Sequence, residues 1–152
     1  MSLFLNKIFG PNLTDLTNTT PTLSLKDFYT GNLKAHGVAT NLFGKVVRRF
    51  KADVKGAQEG EKLKVNEFFT YDDGRTFDRN WDMRQTNPEG TKFTGTGADI
   101  LGNIIAETHG YGALLKYTLK IPKKGSKNNF KTMHITHWQY QIDETHTLHF
   151  LK

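Results

Sequence analysis

The sequence predicts an all-β fold, an antiparallel barrel or strongly curved sheet of about eight to ten strands. Three observations carry this. From Leu33 onward, short segments of alternating apolar and polar character are separated by Gly, Asp, Asn and Pro roughly every ten residues. No stretch sustains helical periodicity, and the best helical candidate, Ala98 to Ala106, carries Gly102 and the β-branched pair Ile104 and Ile105. Turn chemistry also agrees with hairpins, most clearly at Asp72-Asp73-Gly74.

The elements follow in order. Residues 1–24 read as an N-terminal leader, because Asn12 to Thr22 is rich in Thr, Asn and Pro, which favour irregular structure. Residues 25–152 read as a single β domain. In Lys45 to Lys55 the even positions Val46, Phe50, Ala52 and Val54 form an apolar face interrupted by Arg48. In Lys62 to Tyr71 the odd positions Leu63, Val65, Phe69 and Tyr71 do the same around Glu67. In Arg75 to Met83 the odd positions Phe77, Trp81 and Met83 surround Arg79. Three successive strands thus each place one charge on the inner face.

A three-residue loop, Asp72-Asp73-Gly74, sets Phe69 opposite Phe77, Val65 opposite Trp81 and Glu67 opposite Arg79. A two-residue loop would set apolar residues against polar ones. The preceding loop, read as Gly56 to Glu61, leaves its register open, and Arg48 is expected opposite Glu67 or on its diagonal. Further along, Ala113, Leu115, Tyr117, Leu119 and Ile121 share a face that ends at Pro122. Phe130, His134, Trp138, Tyr140 and Ile142 share another, with Met133 and Ile135 opposite.

Composition limits the chemistry. The 152 residues contain no cysteine, which excludes disulfides, thiolate metal sites and a cysteine nucleophile. A chain this long buries roughly 68–70% of its unfolded surface, enough for a core without such staples. No run reaches the length of about 18 apolar residues that a membrane helix needs. Met1 to Gly10 makes a poor signal peptide, since Asn6 and Lys7 break its apolar run, and a cytoplasmic chain is expected. The charge of +6 is spread along the chain, and its densest cluster, Lys123, Lys124, Lys127 and Lys131, reads as a solvated loop. No nucleic-acid partner is expected, because the aromatics fall mainly on the inner face.

Catalytic motifs are not apparent. There is no Gly-x-Ser-x-Gly elbow, and Thr94-Gly95-Thr96-Gly97 lacks the Lys-Ser/Thr ending of a phosphate loop. His134 and His137, like His146 and His149, are three apart and point to opposite faces of a strand, so no metal site and no cofactor is expected; a cross-strand pair such as His137 with His149 is the one arrangement left open. The remaining candidates form a ligand site: Arg48, Glu67 and Arg79 to meet an anionic head group, with Phe50, Trp81, Tyr117 and Trp138 lining the apolar part.

Several segments carry a family resemblance. Phe28 to Gly37 (FYTGNLKAHG), Gly44 to Phe50 (GKVVRRF), Glu67 to Gly74 (EFFTYDDG), Gly95 to Gly102, Tyr117-Thr118-Leu119 and Trp138-Gln139-Tyr140 together resemble a bacterial domain-of-unknown-function family, number 3833. The resemblance covers about Leu25 to Asp143 and implies a lipocalin-like or calycin-like barrel, many members looking like exported lipoproteins. It implies no catalytic residue. This chain departs from the family's pattern in having no lipobox cysteine, in carrying His137 before Trp138 where an acid is usual, and in stopping before a further strand-like stretch. The expected function is non-enzymatic binding of a small amphipathic or anionic lipid-like molecule inside the barrel. Two alternatives are a solid barrel contacting an anionic membrane surface or partner through basic residues such as Arg49, Lys51 and Lys55, and a lipid enzyme using Glu67 as a cavity acid.

Overall fold

A computed structural model of the protein describes residues 11–126 and 128–152; the reading of Met1 to Gly10, and Lys127 of the lysine cluster, lie outside the described residues. Nine strands follow one another: β1 (Gly31–Thr40), β2 (Val46–Glu59), β3 (Lys62–Tyr71), β4 (Thr76–Gln85), β5 (Lys92–Gly97), β6 (Ile100–His109), β7 (Gly112–Pro122), β8 (Phe130–Gln141) and β9 (His146–Leu151). Each pairs antiparallel with the next, and β1 pairs with β9 to close a barrel. An up-and-down meander with an odd strand count brings its first and last strands side by side in the same direction, so the closing pair is parallel, from Lys34 opposite His146 to Ala39 opposite Leu151. Closure leaves no free sheet edge among the described strands.

The β3–β4 hairpin has the register that its turn chemistry predicts. Glu67 stands opposite Arg79, Val65 opposite Trp81 and Phe69 opposite Phe77. Tyr71 N–H donates to Arg75 O at 2.9 Å, Gly74 N–H donates to Tyr71 O at 3.0 Å, and Gly74 takes the left-handed φ of +83°. Inward side chains alternate as expected along Phe50, Ala52 and Val54, along Leu63, Val65, Glu67 and Phe69, and along Arg79, Trp81 and Met83, all of them buried. Each fully buried aliphatic or phenyl side chain here contributes about 1.5–3 kcal/mol. Phe77 shares the Arg79 face but sits at the rim and stays 39% exposed.

Three expectations are corrected. The β2–β3 connection is a two-residue turn, since Glu59 pairs with Lys62, so β2 runs four residues further than its expected end at Lys55. That register sets Val54, not Arg48, opposite Glu67. Arg48 therefore lies beyond the rim, exposed, with Nη2 3.8 Å from Asp73 Oδ2. As its glycine and β-branched pair lead one to expect, Ala98 to Ala106 is not helical: β6 occupies most of it, and Gly102, at φ +73°, sits in the register shift between Leu101 and Ile105. Finally, β8 turns His137 and Gln139 inward and Trp138 outward, because the leader covers the outer face at this point.

That leader straps the outside of the barrel and then fills one mouth. Trp138 Nε1 donates to Pro11 O at 3.0 Å, and Leu23 N–H donates to Gly110 O at 2.7 Å. A 3-10 turn, Leu13–Leu16, is capped by Asn12, whose side chain accepts from Thr14 N–H. One helical turn, α1 (Leu25–Phe28), begins at the Ser24 cap and sends Leu25, Phe28 and the following Tyr29 into the core. This strapped end also carries the β2–β3, β4–β5, β6–β7 and β8–β9 turns. The opposite end carries the other four hairpin tips.

Candidate functional site

Among the described residues, the barrel interior holds an unusual set of buried polar side chains: Glu67, Arg79, Thr108, His137, Gln139, Thr147 and His149. Arg79 enters from β4 and is 8% exposed. Its guanidinium lies 5.4 Å from the Phe69 ring centre, 5.3 Å from Phe77 and 5.4 Å from Trp81. Its charge is met by Asp99 in the β5–β6 turn, whose Oδ2 accepts from Arg79 Nε at 3.1 Å and lies 3.0 Å from Nη2. Sequence reasoning did not single out Asp99, because a turn aspartate is explained locally.

Glu67 is the other buried charge, 2% exposed and facing Arg79 across the β3–β4 ladder. Burial raises its pKa to about 7, with the Arg79 charge only partly opposing that shift. Among the described residues its Oε2 has no hydrogen-bond partner, and neither has the Trp81 indole N–H. The indole is close enough to favour the Glu67 carboxylate without closing a well-shaped hydrogen bond. Both residues line a cavity of about 30 Å³, otherwise walled by Leu25, Tyr29, Leu63, Val65, Met83, Leu115 and Gln139. Such a volume holds one or two water molecules. Leu63 and Met83 also floor a larger polar groove of about 490 Å³ at the strapped mouth, whose rim includes Lys26, Arg84 and Phe93.

A chain of hydrogen bonds runs on from this cavity. Trp81 meets Tyr117 edge to face with centroids 5.2 Å apart. Tyr117 Oη is 3.2 Å from His137 Nδ1, His137 Nε2 is 2.9 Å from His149 Nδ1, and His149 Nε2 is 2.8 Å from Thr147 Oγ1. All the ring nitrogens are satisfied when both rings are neutral and protonated on Nε2: Tyr117 donates to His137, His137 to His149, and His149 to Thr147. Burial enforces that neutrality, lowering the His149 pKa to about 3 and that of His137 well below the ordinary imidazole value. From the plug side, Tyr29 Oη donates to Gln139 Oε1 at 2.5 Å.

The structure thus brings together five of the seven candidate residues. Glu67, Arg79, Trp81 and Tyr117 share the polar interior, and Phe50 packs beside them, 5.3 Å from Phe69 and 6.1 Å from the His149 ring. Arg48 is outside the barrel. Trp138 is buried on the outer face, 5.4 Å from the Phe150 ring, and does not line the interior. The expected surplus of arginine is thereby reversed: two acids, Glu67 and Asp99, now face one arginine. Tyr29, His137, Gln139, Thr147 and His149 were not among the expected ligand-binding residues. The signal for His149 and His137 was their place on neighbouring strands, where they form a hydrogen-bonded pair rather than surface groups.

Comparison with known proteins yields one finding. The model of a family described as "Protein of unknown function (DUF3833)" matches residues 2–150. No curated protein and no solved structure matches the chain.

Proposed function

This chain belongs to the DUF3833 family, whose description assigns no function, and from the chain's own geometry we propose that it binds a small amphipathic molecule inside the barrel without transforming it. The observation that carries this reading is the pair of fully buried polar atoms, Glu67 Oε2 and Trp81 Nε1, that border an apolar cavity and lack a partner among the described residues. Buried polar groups are ordinarily satisfied, and a ligand head group placed there would satisfy both. A protonated Glu67 donates to a carboxylate head, Trp81 donates beside it, and Arg79 behind them supports the negative charge. The apolar part of the ligand lies against Leu63, Met83 and Leu115.

The way in is the strapped mouth, because Leu63 and Met83 separate the cavity from the groove there. The cavity is small, so a ligand must displace Leu25 or Tyr29 of the plug. Short acyl chains are therefore preferred to long ones.

Titration calorimetry with octanoate tests the proposal. Because binding draws on protonated Glu67, whose pKa is about 7, affinity is expected to fall about tenfold from pH 6 to pH 8. The amide of Glu67→Gln donates at every pH, and that variant is expected to bind with a flat pH profile. Absence of saturable octanoate binding at pH 6, or an unchanged pH profile in Glu67→Gln, overturns the reading.

A further inference from the structure

The end of the barrel away from the strap carries an apolar projection that the interior does not explain. At the β1–β2 tip, Phe43 is 96% exposed and Leu42 80% exposed, the most exposed of the large apolar side chains among the described residues. Their exposure is built in rather than incidental. Gly44 N–H donates to Asn41 O at 3.0 Å, Asn41 N–H donates to Lys45 O at 3.0 Å, and the Asn41 side-chain oxygen accepts from Phe43 N–H and Lys45 N–H at 3.0 and 3.1 Å. Gly44 completes the turn at φ +81°. The turn holds Leu42 and Phe43 at its two central positions, where Asn, Asp, Gly and Pro ordinarily dominate. Val46 and Val47, 50% and 45% exposed, extend the apolar surface below it.

Cations share this end of the barrel. Lys45, Arg48 and Arg49 follow it directly and are exposed. The β7–β8 hairpin projects from the same end and brings Lys123, Lys124 and Lys131 beside the half-exposed Phe130 and Met133. Against them, Asp72 and Asp73 of the β3–β4 tip reach Arg49 and Arg48 only at 3.6 and 3.8 Å. Apolar side chains on a braced loop, with lysine and arginine exposed at the same end of the barrel, complement an interface with anionic head groups outside and acyl chains beneath.

We propose that this end of the barrel docks on an anionic lipid bilayer, with Leu42 and Phe43 inserting below the head groups and the lysines and arginines of the same end contacting them. The docking is independent of ligand binding at Glu67, which lies inside the barrel. It orients the molecule with the strapped mouth facing away from the membrane.

The test is flotation with vesicles of phosphatidylglycerol mixed with phosphatidylcholine, set beside phosphatidylcholine alone. The wild-type protein is expected to float with the anionic vesicles, to bind the neutral ones far less, and to dissociate as salt screens the cations. Phe43→Ser is expected to lower partitioning by about tenfold with an unchanged thermal melting profile. Phe43→Trp is expected to show a blue-shifted emission component, absent from the wild type, when anionic vesicles are added. Failure of the wild type to float, or equal flotation of wild type and Phe43→Ser, overturns the proposal. A dimer abolished by Phe43→Ser, with no vesicle binding, overturns it in favour of a second copy of this chain.

Discussion

Replacing Gly56 with alanine is expected to destabilise the fold by about 3 kcal/mol or more, at the upper end of the range for overpacking a filled interior. Gly56 lies in β2 opposite Gly31 and Val65, where the chain passes directly under the link from α1 to β1. A methyl carbon at this position would stand 1.5 Å from the Tyr29 carbonyl oxygen and 2.7 Å from its carbonyl carbon. Those are backbone atoms, so no rotamer change relieves the clash. The plug must lift, and lifting it pulls Tyr29 Oη from Gln139 and withdraws Leu25 and Phe28 from the core. Urea denaturation should show a lower midpoint, and the interior should become more accessible to octanoate. A midpoint within experimental error of wild type would mean that β2 and the plug do not approach this closely.

Acidification should act through the histidine pair with comparable force. A neutral buried imidazole has a depressed pKa in the fold, so below about pH 6.5 the unfolded chain binds protons that the folded chain does not. Stability therefore falls as pH falls, by about 1.4 kcal/mol per unit for each such group. His149 titrates in the fold only near pH 3, so it contributes through the whole window from 6.5 to 4.5, and His137, held well below its ordinary value by burial, acts in the same direction. Glu67 has the opposite sign. Its pKa is raised to about 7, so its stabilising contribution is complete below the ordinary value of 4.5 and is lost as pH rises toward 7. Between pH 6.5 and 4.5 the Glu67 effect cancels one of the two histidines. The wild type should lose stability across that window and fall more steeply below it, whereas Glu67→Gln, which lacks the opposing carboxyl, should lose about 2 kcal/mol more. Denaturant melts at a series of pH values measure this directly. A flat wild-type profile across the window would rule out two buried neutral imidazoles.

Much of the barrel was legible in the sequence where a turn set the register. Asp72-Asp73-Gly74 was enough to place Glu67 against Arg79, because a one-residue slip would have set the apolar side chains of one strand against the polar ones of the other. Arg48 was misplaced because Gly56 read as the start of a loop, when its lack of a side chain serves a close crossing within a continuous strand. Trp138 was misplaced for a different reason. β8 has apolar residues on both faces, and which face is inner depends on the leader, which covers Trp138 from outside through Pro11. Local alternation contains no information about such a cover. The same strap supplied Tyr29, and a turn supplied Asp99, so the site's polar partners came from segments with no strand pattern to read.

The parallel seam between β1 and β9 also sets how the molecule responds to force. Adjacent antiparallel strands joined by a hairpin, if pulled apart at their free ends, separate one bonded pair at a time. A pull between residues 33 and 151 instead acts at opposite ends of the seam, since β1 starts at the strapped mouth and β9 finishes at the far rim. The load then runs along the strands, and the six register pairs from Lys34–His146 to Ala39–Leu151 resist together in shear. An odd number of strands thus gives the barrel a mechanical clamp at the place where its chain closes on itself.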